Sequence, residues 1–280
     1  MIFVFICLIL LSLTSHAQTV GEPHSCQLGI TLSGGAARGY AHIGVLRAFD
    51  EAGIKIDYIS GSSMGTVIGL FYAAGKTPDE MMGIAKSINK RRVTSAGRFS
   101  FRKKGLDYME QVIKKHISAK TFDQLEKPLY ICVTNFQSGR YEMISEGEIL
   151  PAVRASAAIP IIYKQQIING VAYIDGGVVN NLPVEPLRDN CQTVVGISVN
   201  PIEYKSEKMK LRKQIMRVAE LMINENEARR IEMCDYHLEV PDLGGVDFEE
   251  YDQPQKIHDM GYRAAKEFLE KNPELFEQKK

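Results

Sequence analysis

The chain has 280 residues, of which 45% are hydrophobic, and its 34 Lys and Arg residues balance 34 Asp and Glu residues, so that the formal net charge is zero. A chain without net charge has no global field that attracts a polyanion, so nucleic acid is excluded as an expected partner. The length suits one sizeable α/β core.

The first residues have the character of a secretory leader. Residues 1–13 are almost wholly apolar, and Ser15-His16-Ala17 then offers a small-X-small cleavage site. The apolar run is too short to span a bilayer stably, and no Lys or Arg precedes it. We interpret residues 1–17 as a signal peptide rather than as a buried first strand, and we expect a periplasmic or secreted protein. Residues 18–280 are predicted to form a single domain, with a motif core at about 28–199 and a C-terminal helical extension at about 200–280.

Strand-like and helix-like patterns alternate along the body of the chain. Apolar runs bounded by turn residues predict strands at 28–32, 54–59, 129–134, 166–174, 193–199 and 235–240. Helical periodicity predicts helices at 39–51, 66–74, 107–116, 148–157, 207–233 and 253–269. This alternation predicts an α/β fold with three layers, α/β/α, around a mostly parallel central sheet.

The long helix at 207–233 is predicted to pack on the sheet through one apolar stripe, formed by Ile215, Val218, Leu221, Met222 and Ile231. In the closing helix at 253–269, Tyr262 and Phe268 are expected to face inward. A basic and aromatic cluster at 98–106 could touch an anionic lipid surface, or form a solvated loop with its two phenylalanines turned inward.

A glycine-rich loop follows the first predicted strand, with the sequence Ser33-Gly34-Gly35-Ala36-Ala37-Arg38-Gly39. Such a loop can turn backbone N–H groups toward an anion. Three interpretations compete: a dinucleotide phosphate site, an oxyanion hole, and a turn without a ligand. The first needs an acidic residue at the end of the next strand, but Asp57 lies near the start of that strand.

A serine lies at the next strand-to-helix turn, in Gly61-Ser62-Ser63-Met64-Gly65. On a sharp turn between small residues, the Ser63 hydroxyl would project from the carboxyl edge of the sheet, where the glycine-rich loop also lies. Ser63 is therefore the candidate nucleophile, and an oxyanion hole explains both motifs as one site. An ordinary strand-to-helix turn is the alternative.

A serine nucleophile needs a base that accepts its proton. Asp175, in Asp175-Gly176-Gly177, ends an apolar run beside two small residues and is the best-placed candidate. A plain Asp-Gly turn is the alternative reading of this motif. His237 and His258 are the candidates for a Ser-His-Asp triad, but one falls inside a predicted strand and the other inside a predicted helix.

Four cysteines remain after the leader, widely spaced and without Cys-X-X-Cys pairs, namely Cys26, Cys132, Cys191 and Cys234. A body of this size does not need disulfides, so we expect mostly buried free thiols. No zinc spacing and no acidic calcium loop is present, and we expect neither a metal nor a cofactor. No feature of the sequence specifies an oligomeric state.

Together the three motifs resemble the patatin-like phospholipase family, in the order found in that family. Residues 155–160, Ala155-Ser156-Ala157-Ala158-Ile159-Pro160, are similar to a fourth family segment. The resemblance covers about 28–199 and implies a lipid acyl hydrolase, of the phospholipase A or lysophospholipase type, that acts on phospholipids or other acyl-ester lipids with transient contact to a membrane surface.

The resemblance also implies a Ser-Asp dyad: Ser63 attacks the ester, and Asp175 accepts and returns the proton through an acyl-enzyme. The oxyanion hole would be formed by the loop residues Gly34, Gly35 and Ala36, with Arg38 as positive support. The glycines that support the motifs are Gly39, Gly61, Gly65, Gly176 and Gly177. Ala36 departs from the glycine of many members, which narrows its permitted backbone geometry. His42 follows the family pattern and is expected to be a packing or capping residue. A triad esterase and a non-catalytic lipid-binding module are the alternatives.

Overall fold

The computed structural model describes residues 26–94, 104–203 and 211–275. The predicted signal peptide and most of the cluster at 98–106 lie outside these ranges. Eight strands of the described residues form one sheet: β1 (Cys26–Leu32), β2 (Tyr58–Ser62), β3 (Leu129–Asn135), β4 (Tyr141–Ile144), β5 (Gln166–Ile168), β6 (Val171–Asp175), β7 (Cys191–Ser198) and β8 (Tyr236–Glu239).

The helices of the described residues flank this sheet. They are α1 (Tyr40–Glu51), α2 (Met64–Ala73), α3 (Pro78–Ser87), α4 (Lys90–Thr94), α5 (Lys104–His116), α6 (Ile149–Ser156), α7 (Glu185–Arg188), α8 (Leu211–Ile231) and α9 (Pro254–Lys271). Within the described ranges, no helix combines the length and the apolar character needed to cross a membrane.

The strand order is β5-β6-β3-β2-β1-β7-β8, and β4 pairs with β3 beside this path. Five adjacent strands are mutually parallel, namely β3, β2, β1, β7 and β8. The other three, β4, β5 and β6, join the sheet by antiparallel pairing. The prediction of a mostly parallel sheet is confirmed. Its consequence is that β1 and β2 end side by side, so the glycine-rich loop and Ser63 leave the same edge.

Apolar residues cover both faces of the central strands, as expected for parallel strands between helices. Val194 and Val195 are neighbours on β7 and point to opposite faces. Val195 belongs to the larger core, which includes α1, α2 and α9, whereas Val194 belongs to a smaller core with Leu182 and Leu187 on the side of α7. Helices therefore lie on both sides of the sheet.

Two predicted strands have different bounds in the structure. The run at 166–174 is a hairpin and not one strand, because Asn169 and Gly170 both adopt positive φ, 50° and 82°, between β5 and β6. An Asn-Gly pair favours this tight turn. The strand predicted at 54–59 begins only at Tyr58; Ile54 and Ile56 are buried in the connection before it.

The predicted apolar stripe of α8 is wrong for three of its five residues. Val218, Leu221 and Met222 are exposed, the last to 62%, Ile231 is partly buried against the smaller core, and the side chain of Ile215 lies outside the described part. Among the described side chains of this helix, Glu220 and Glu227 are the buried ones. The reason is that α8 packs on a polar part of the molecule, where buried arginine and asparagine side chains need acidic partners. Phe268 on α9 does face the core, packed against Phe49, and Tyr262 lies partly buried against the core.

The expectation of free thiols is wrong for two of the four cysteines. Cys26 and Cys191 are paired residues on neighbouring strands β1 and β7, and they form a disulfide with a Cα–Cα distance of 4.6 Å. The sequence separation of 165 between the two cysteines is the reason that the residue pattern did not indicate this pairing. Cys132 and Cys234 are free, and Cys132 is buried as expected.

Candidate active site

Ser63 lies on a strained turn between β2 and α2, with φ 51° and ψ −120°. Such values cost a non-glycine residue roughly 1–3 kcal/mol and occur mainly where the surrounding structure enforces them. The enforcement here comes from backbone contact: a Cβ on Gly65 would lie 2.1 Å from the Leu32 carbonyl oxygen, and one on Gly61 would lie 2.7 Å from the Gly65 carbonyl carbon. Only glycine at both positions allows this tight approach.

The hydroxyl of Ser63 donates a hydrogen bond to Oδ2 of Asp175, over 2.7 Å, although 112 positions separate the two residues in the sequence. Asp175 ends β6, and its Oδ1 accepts the backbone N–H of Gly177 over 2.8 Å. The two residues are buried, with exposed fractions of 8% for Ser63 and 5% for Asp175. The antiparallel pairing of β6 with β3 brings the carboxylate back to this edge.

Burial raises the pKa of Asp175 to about 7, because removing the carboxylate from water disfavours its charge. The hydrogen bonds from Ser63 and from the Gly177 N–H oppose this shift. A carboxyl group with a pKa near neutrality exchanges protons readily at physiological pH, which is the property required of a general base and acid.

The N–H groups of the glycine-rich loop are not equivalent. Gly34 donates its N–H to the carbonyl of Asn181, so it is not free for an oxyanion, which corrects its assignment as a donor. Among the described residues, no acceptor takes the N–H of Gly35 or Ala36. A Cβ added to Gly34 would lie 2.9 Å from Cβ of Ser63, so the loop passes directly beside the serine. Gly35 and Ala36 are the available donors.

Ala36 adopts φ 47°, in the left-handed region that alanine rarely enters. Alanine thus replaces the glycine of many family members at a position whose backbone conformation costs alanine roughly 1–2 kcal/mol. The remaining motif glycines, Gly39, Gly176 and Gly177, each leave less than 2.5 Å between a built Cβ and a neighbouring atom. Gly39 makes room for Met64 on α2, Gly176 for the Cys132 carbonyl on β3, and Gly177 for the side chain of Asn181.

Arg38 does not direct its charge at the serine. Its guanidinium is buried, donates to the carboxylate of Glu220 over 3.1 Å and to the Val246 carbonyl over 2.9 Å, and stacks on the ring of Phe248. Glu220 on α8 balances its charge. This corrects the expectation of positive support for an oxyanion: Arg38 anchors the glycine-rich loop to the C-terminal part of the chain.

The histidine candidates for a triad are engaged elsewhere. His237 Nε2 shares a hydrogen bond with Ser198 Oγ at 2.9 Å, and His258 Nδ1 lies 2.8 Å from Asp259. His42 Nε2 lies 2.8 Å from the Ser33 carbonyl, and burial lowers the pKa of His42 to about 4. It therefore packs as a neutral ring under the glycine-rich loop, the role expected for it.

Asp57 does not complete a dinucleotide site. Its Oδ2 accepts the backbone N–H groups of Gln27 and Leu28, at the amino end of β1. This end is opposite the edge at which the glycine-rich loop leaves the sheet. The carboxylate therefore caps the start of a strand.

Sequence reasoning missed several residues that hold the site. Ser156 accepts the N–H of Ser63 over 3.0 Å and lies 2.9 Å from Oγ1 of Thr66, so it fixes the strained turn. It belongs to the segment at 155–160, which is similar to a family segment but carries no local signal for this role of Ser156. Asn181, Asn200 and Glu227 surround the glycine-rich loop from positions that carry no local motif.

An apolar cavity of about 120 Å³ begins at Ser63 and Ala36. Its walls come from α2, α3, α5 and the loop after α6, with side chains such as Val67, Phe71, Met81, Ile84, Met109 and Ile159. A comparable cavity of about 150 Å³ holds a benzene molecule. The cavity therefore has room for the part of an acyl chain next to an ester.

Comparison with known proteins gives the same family as the motifs. The model of the family "Patatin-like phospholipase" matches residues 30–188. An uncharacterised NTE family protein of Mycobacterium tuberculosis is 33% identical over 191 residues, 67% of this chain and 53% of that protein. The lysophospholipase nte1 of Aspergillus fumigatus is 29% identical over 282 residues, 87% of this chain and 18% of that protein.

The chain thus spans about half the length of its mycobacterial relatives and less than a fifth of the fungal one. Among solved structures, VipD from Legionella pneumophila superposes with a TM-score of 0.52 at 15% identity, over 89% of this chain and 67% of that one. This likeness supports the three-layer α/β/α fold predicted from the sequence. The motifs, the fold and the matched family together place the chain in the patatin-like phospholipase family.

Proposed function

We propose that this protein is a lipid acyl hydrolase in which Ser63 and Asp175 form the catalytic dyad. The observation that carries the proposal is the 2.7 Å hydrogen bond from the Ser63 hydroxyl to the Asp175 carboxylate, at one end of an apolar cavity. A serine held by a base, beside unpaired N–H donors, is the arrangement required for acyl transfer.

In the proposed reaction, Ser63 Oγ attacks the ester carbonyl while Asp175 accepts the hydroxyl proton. The N–H groups of Gly35 and Ala36 bind the oxygen of the tetrahedral intermediate, which carries the negative charge. As the carbon–oxygen bond to the alcohol breaks, Asp175 returns the proton to the leaving oxygen. Water then attacks the acyl-enzyme, again with Asp175 as base, and the fatty acid leaves.

Phospholipids or lysophospholipids are the proposed substrates, because the cavity beside Ser63 is lined by apolar side chains and suits an acyl chain. The fungal relative, named as a lysophospholipase, points to the same class. The proposed site is the exported side of a cell membrane: the apolar leader favours export, and the disulfide between Cys26 and Cys191 fits an oxidising compartment.

We further propose that the loop after α6 contacts the lipid surface. Ile159 and Tyr163 of this loop line the cavity, and between them Ile161 is 81% exposed. Ile161 also adopts φ 73°, which a β-branched residue rarely accepts. A strained, exposed apolar tip beside the entry to an acyl site is suited to insertion among lipids.

The proposed function is tested with purified protein and phosphatidylcholine or lysophosphatidylcholine as substrate. We expect wild type to release fatty acid and to be labelled at Ser63 by a fluorophosphonate, and Ser63→Ala to do neither, with a loss of at least about 10³-fold. Ser62→Ala is the matched control, because the neighbouring hydroxyl makes no hydrogen bond to Asp175. A folded wild type that binds lipid without hydrolysis or labelling would identify a lipid-binding module instead.

The surface contact is tested by Ile161→Ser. We expect weaker co-sedimentation with phosphatidylcholine vesicles and lower activity on them, by roughly three- to tenfold, because the tip loses about 2 kcal/mol or less of transfer free energy. Hydrolysis of a short, soluble acyl ester should not change. Met222→Ser, at another exposed apolar position, on α8, should leave vesicle binding intact. An equal loss in both variants would argue against a specific role of the loop.

A further inference from the structure

The buried carboxylate of Glu227 lies behind the glycine-rich loop and has no part in the dyad. It is 2% exposed and belongs to α8, the helix on which Val218, Leu221 and Met222 are exposed. Its Oε1 accepts Nδ2 of Asn181 and, over 2.9 Å, Nδ2 of Asn200, and the Ser198 hydroxyl is a third donor. A buried carboxylate held by three neutral donors is costly, since no cation among the described side chains compensates its desolvation.

The two asparagines connect Glu227 to the glycine-rich loop. Besides the carboxylate, Nδ2 of each also donates to the carbonyl of Gly34, over 3.1 Å from Asn181 and 2.6 Å from Asn200. A carboxylate only accepts hydrogen bonds, so it selects the orientation in which both amides turn their NH₂ groups inward. If Asn200 were flipped, its Oδ1 would face two oxygen atoms instead.

The orientation of the Gly34 carbonyl determines that of the next N–H. In a planar trans peptide, the C=O of one residue and the N–H of the following one point in opposite directions. Holding the Gly34 carbonyl on the asparagines therefore turns the Gly35 N–H to the other side of the loop. Ser63 lies against this part of the loop, as the 2.9 Å approach of its Cβ to a Cβ built on Gly34 shows.

We propose that Glu227 is a positioning residue of the oxyanion hole: it orients Asn181 and Asn200, which hold the Gly34 carbonyl so that the Gly35 N–H faces the reacting ester. The inference rests on the proposed hydrolase function and adds to it a residue with no contact to substrate. The neighbouring Asn226 extends the same support, because its Oδ1 accepts the Asn181 N–H and its Nδ2 donates to the carbonyl of Gly177, whose own N–H binds Asp175.

Burial raises the pKa of Glu227 to about 7, and its three donors and the nearby Glu239 modify this shift in opposite directions. The geometric role needs an acceptor oxygen and not a charge. A glutamine could accept both asparagine N–H groups on its carbonyl oxygen and donate its NH₂ to Ser198, whose hydroxyl would then turn to His237. The conservative variant should therefore preserve the network.

The test compares Glu227→Ala with Glu227→Gln on a soluble acyl ester, with active sites counted by fluorophosphonate labelling. We expect Glu227→Ala to lower kcat per labelled site by roughly 10–100-fold, part of the effect of losing an oxyanion donor, with KM changed by less than about threefold. Glu227→Gln should stay within about threefold of wild type. Glu185→Ala, which removes a carboxylate bound to Asn180 and Arg230 beside the same helix, should leave kcat unchanged.

An unchanged kcat in Glu227→Ala, a loss expressed in KM, or an equal loss in Glu227→Gln would overturn the positioning role. Where Glu227→Ala does not fold, Asn200→Ala takes its place, since it removes the 2.6 Å bond to the Gly34 carbonyl and leaves Glu227 bound to Asn181. We expect roughly a tenfold loss of kcat there, and an unchanged value overturns the inference. A wild type without hydrolysis or labelling overturns the proposed function itself.

Discussion

Asp175→Asn is expected to lower kcat by about 10³-fold or more and to stabilise the protein above pH 7. The amide cannot accept the Ser63 proton, but it can occupy the same space, with its oxygen on the Gly177 N–H and its NH₂ on Ser63 Oγ. Activity is lost because the base is lost, and not because the site collapses. Hydrolysis of a soluble ester and thermal unfolding of the same preparations measure both effects.

The gain in stability follows from the pKa of about 7 that burial gives Asp175. An unfolded aspartate ionises near pH 4, so the native state favours the protonated form. The contribution of Asp175 to stability is therefore full below about pH 4, falls as the pH rises to about 7, and is lowest above it. Asparagine avoids this loss, and the free energy of unfolding should exceed that of wild type by up to about 4 kcal/mol at pH 8 and by little at pH 4.

Two outcomes would contradict the dyad. Activity retained in Asp175→Asn but lost in His237→Ala or His258→Ala would indicate a triad esterase. Equal stability of wild type and Asp175→Asn at every pH would mean that the native carboxyl group ionises as it does in water. The Ser63→Ala variant is the matched control, since it removes the hydroxyl partner and keeps the carboxylate.

The second large effect is the dependence of activity on pH. Because Asp175 acts as a base, only its ionised form is active, and kcat/KM should be lost as the pH falls through the pKa of about 7. One proton is involved, so the loss should approach tenfold per pH unit below the pKa and amount to about 50-fold between pH 7 and pH 5. Initial rates on a soluble ester across this range measure the profile.

Two variants identify the group that titrates. Burial also raises the pKa of Glu227 to about 7, so the pH profile of Glu227→Gln shows whether ionisation of Glu227 contributes to the loss of kcat/KM at low pH. We expect this loss, the acid limb of the profile, to remain. His237→Ala should leave it unchanged as well, because burial lowers the pKa of this histidine and it bonds to Ser198. A limb that disappears in either variant would remove Asp175 as the titrating base.

The local motifs could be recognised in the sequence because each needs small residues, mostly glycines, at positions adjacent to the functional side chain. Gly61 and Gly65 are needed for the strained turn at Ser63, and the alternation of strands and helices places that turn at the carboxyl edge of a parallel sheet. Ser63, Asp175 and the glycine-rich loop were therefore identified together with the fold class. The Asn169-Gly170 hairpin carried an equally local signal, which the apolar run at 166–174 obscured.

Contacts between distant segments could not be read from the sequence. Apolar periodicity predicted the wrong buried face for α8. The helix buries Glu220, which binds Arg38, and Glu227, which binds two asparagines, and these partners come near α8 only in the folded chain. Likewise, the disulfide between Cys26 and Cys191 became evident only from the pairing of their strands. The Gly34 N–H is excluded as an oxyanion donor only by its hydrogen bond to the Asn181 carbonyl. Local backbone geometry thus makes the groups that can carry the chemistry recognisable from the residues alone. Which donors are free, and what holds them, depends on contacts between distant segments, because buried polar groups must find partners wherever the fold supplies them.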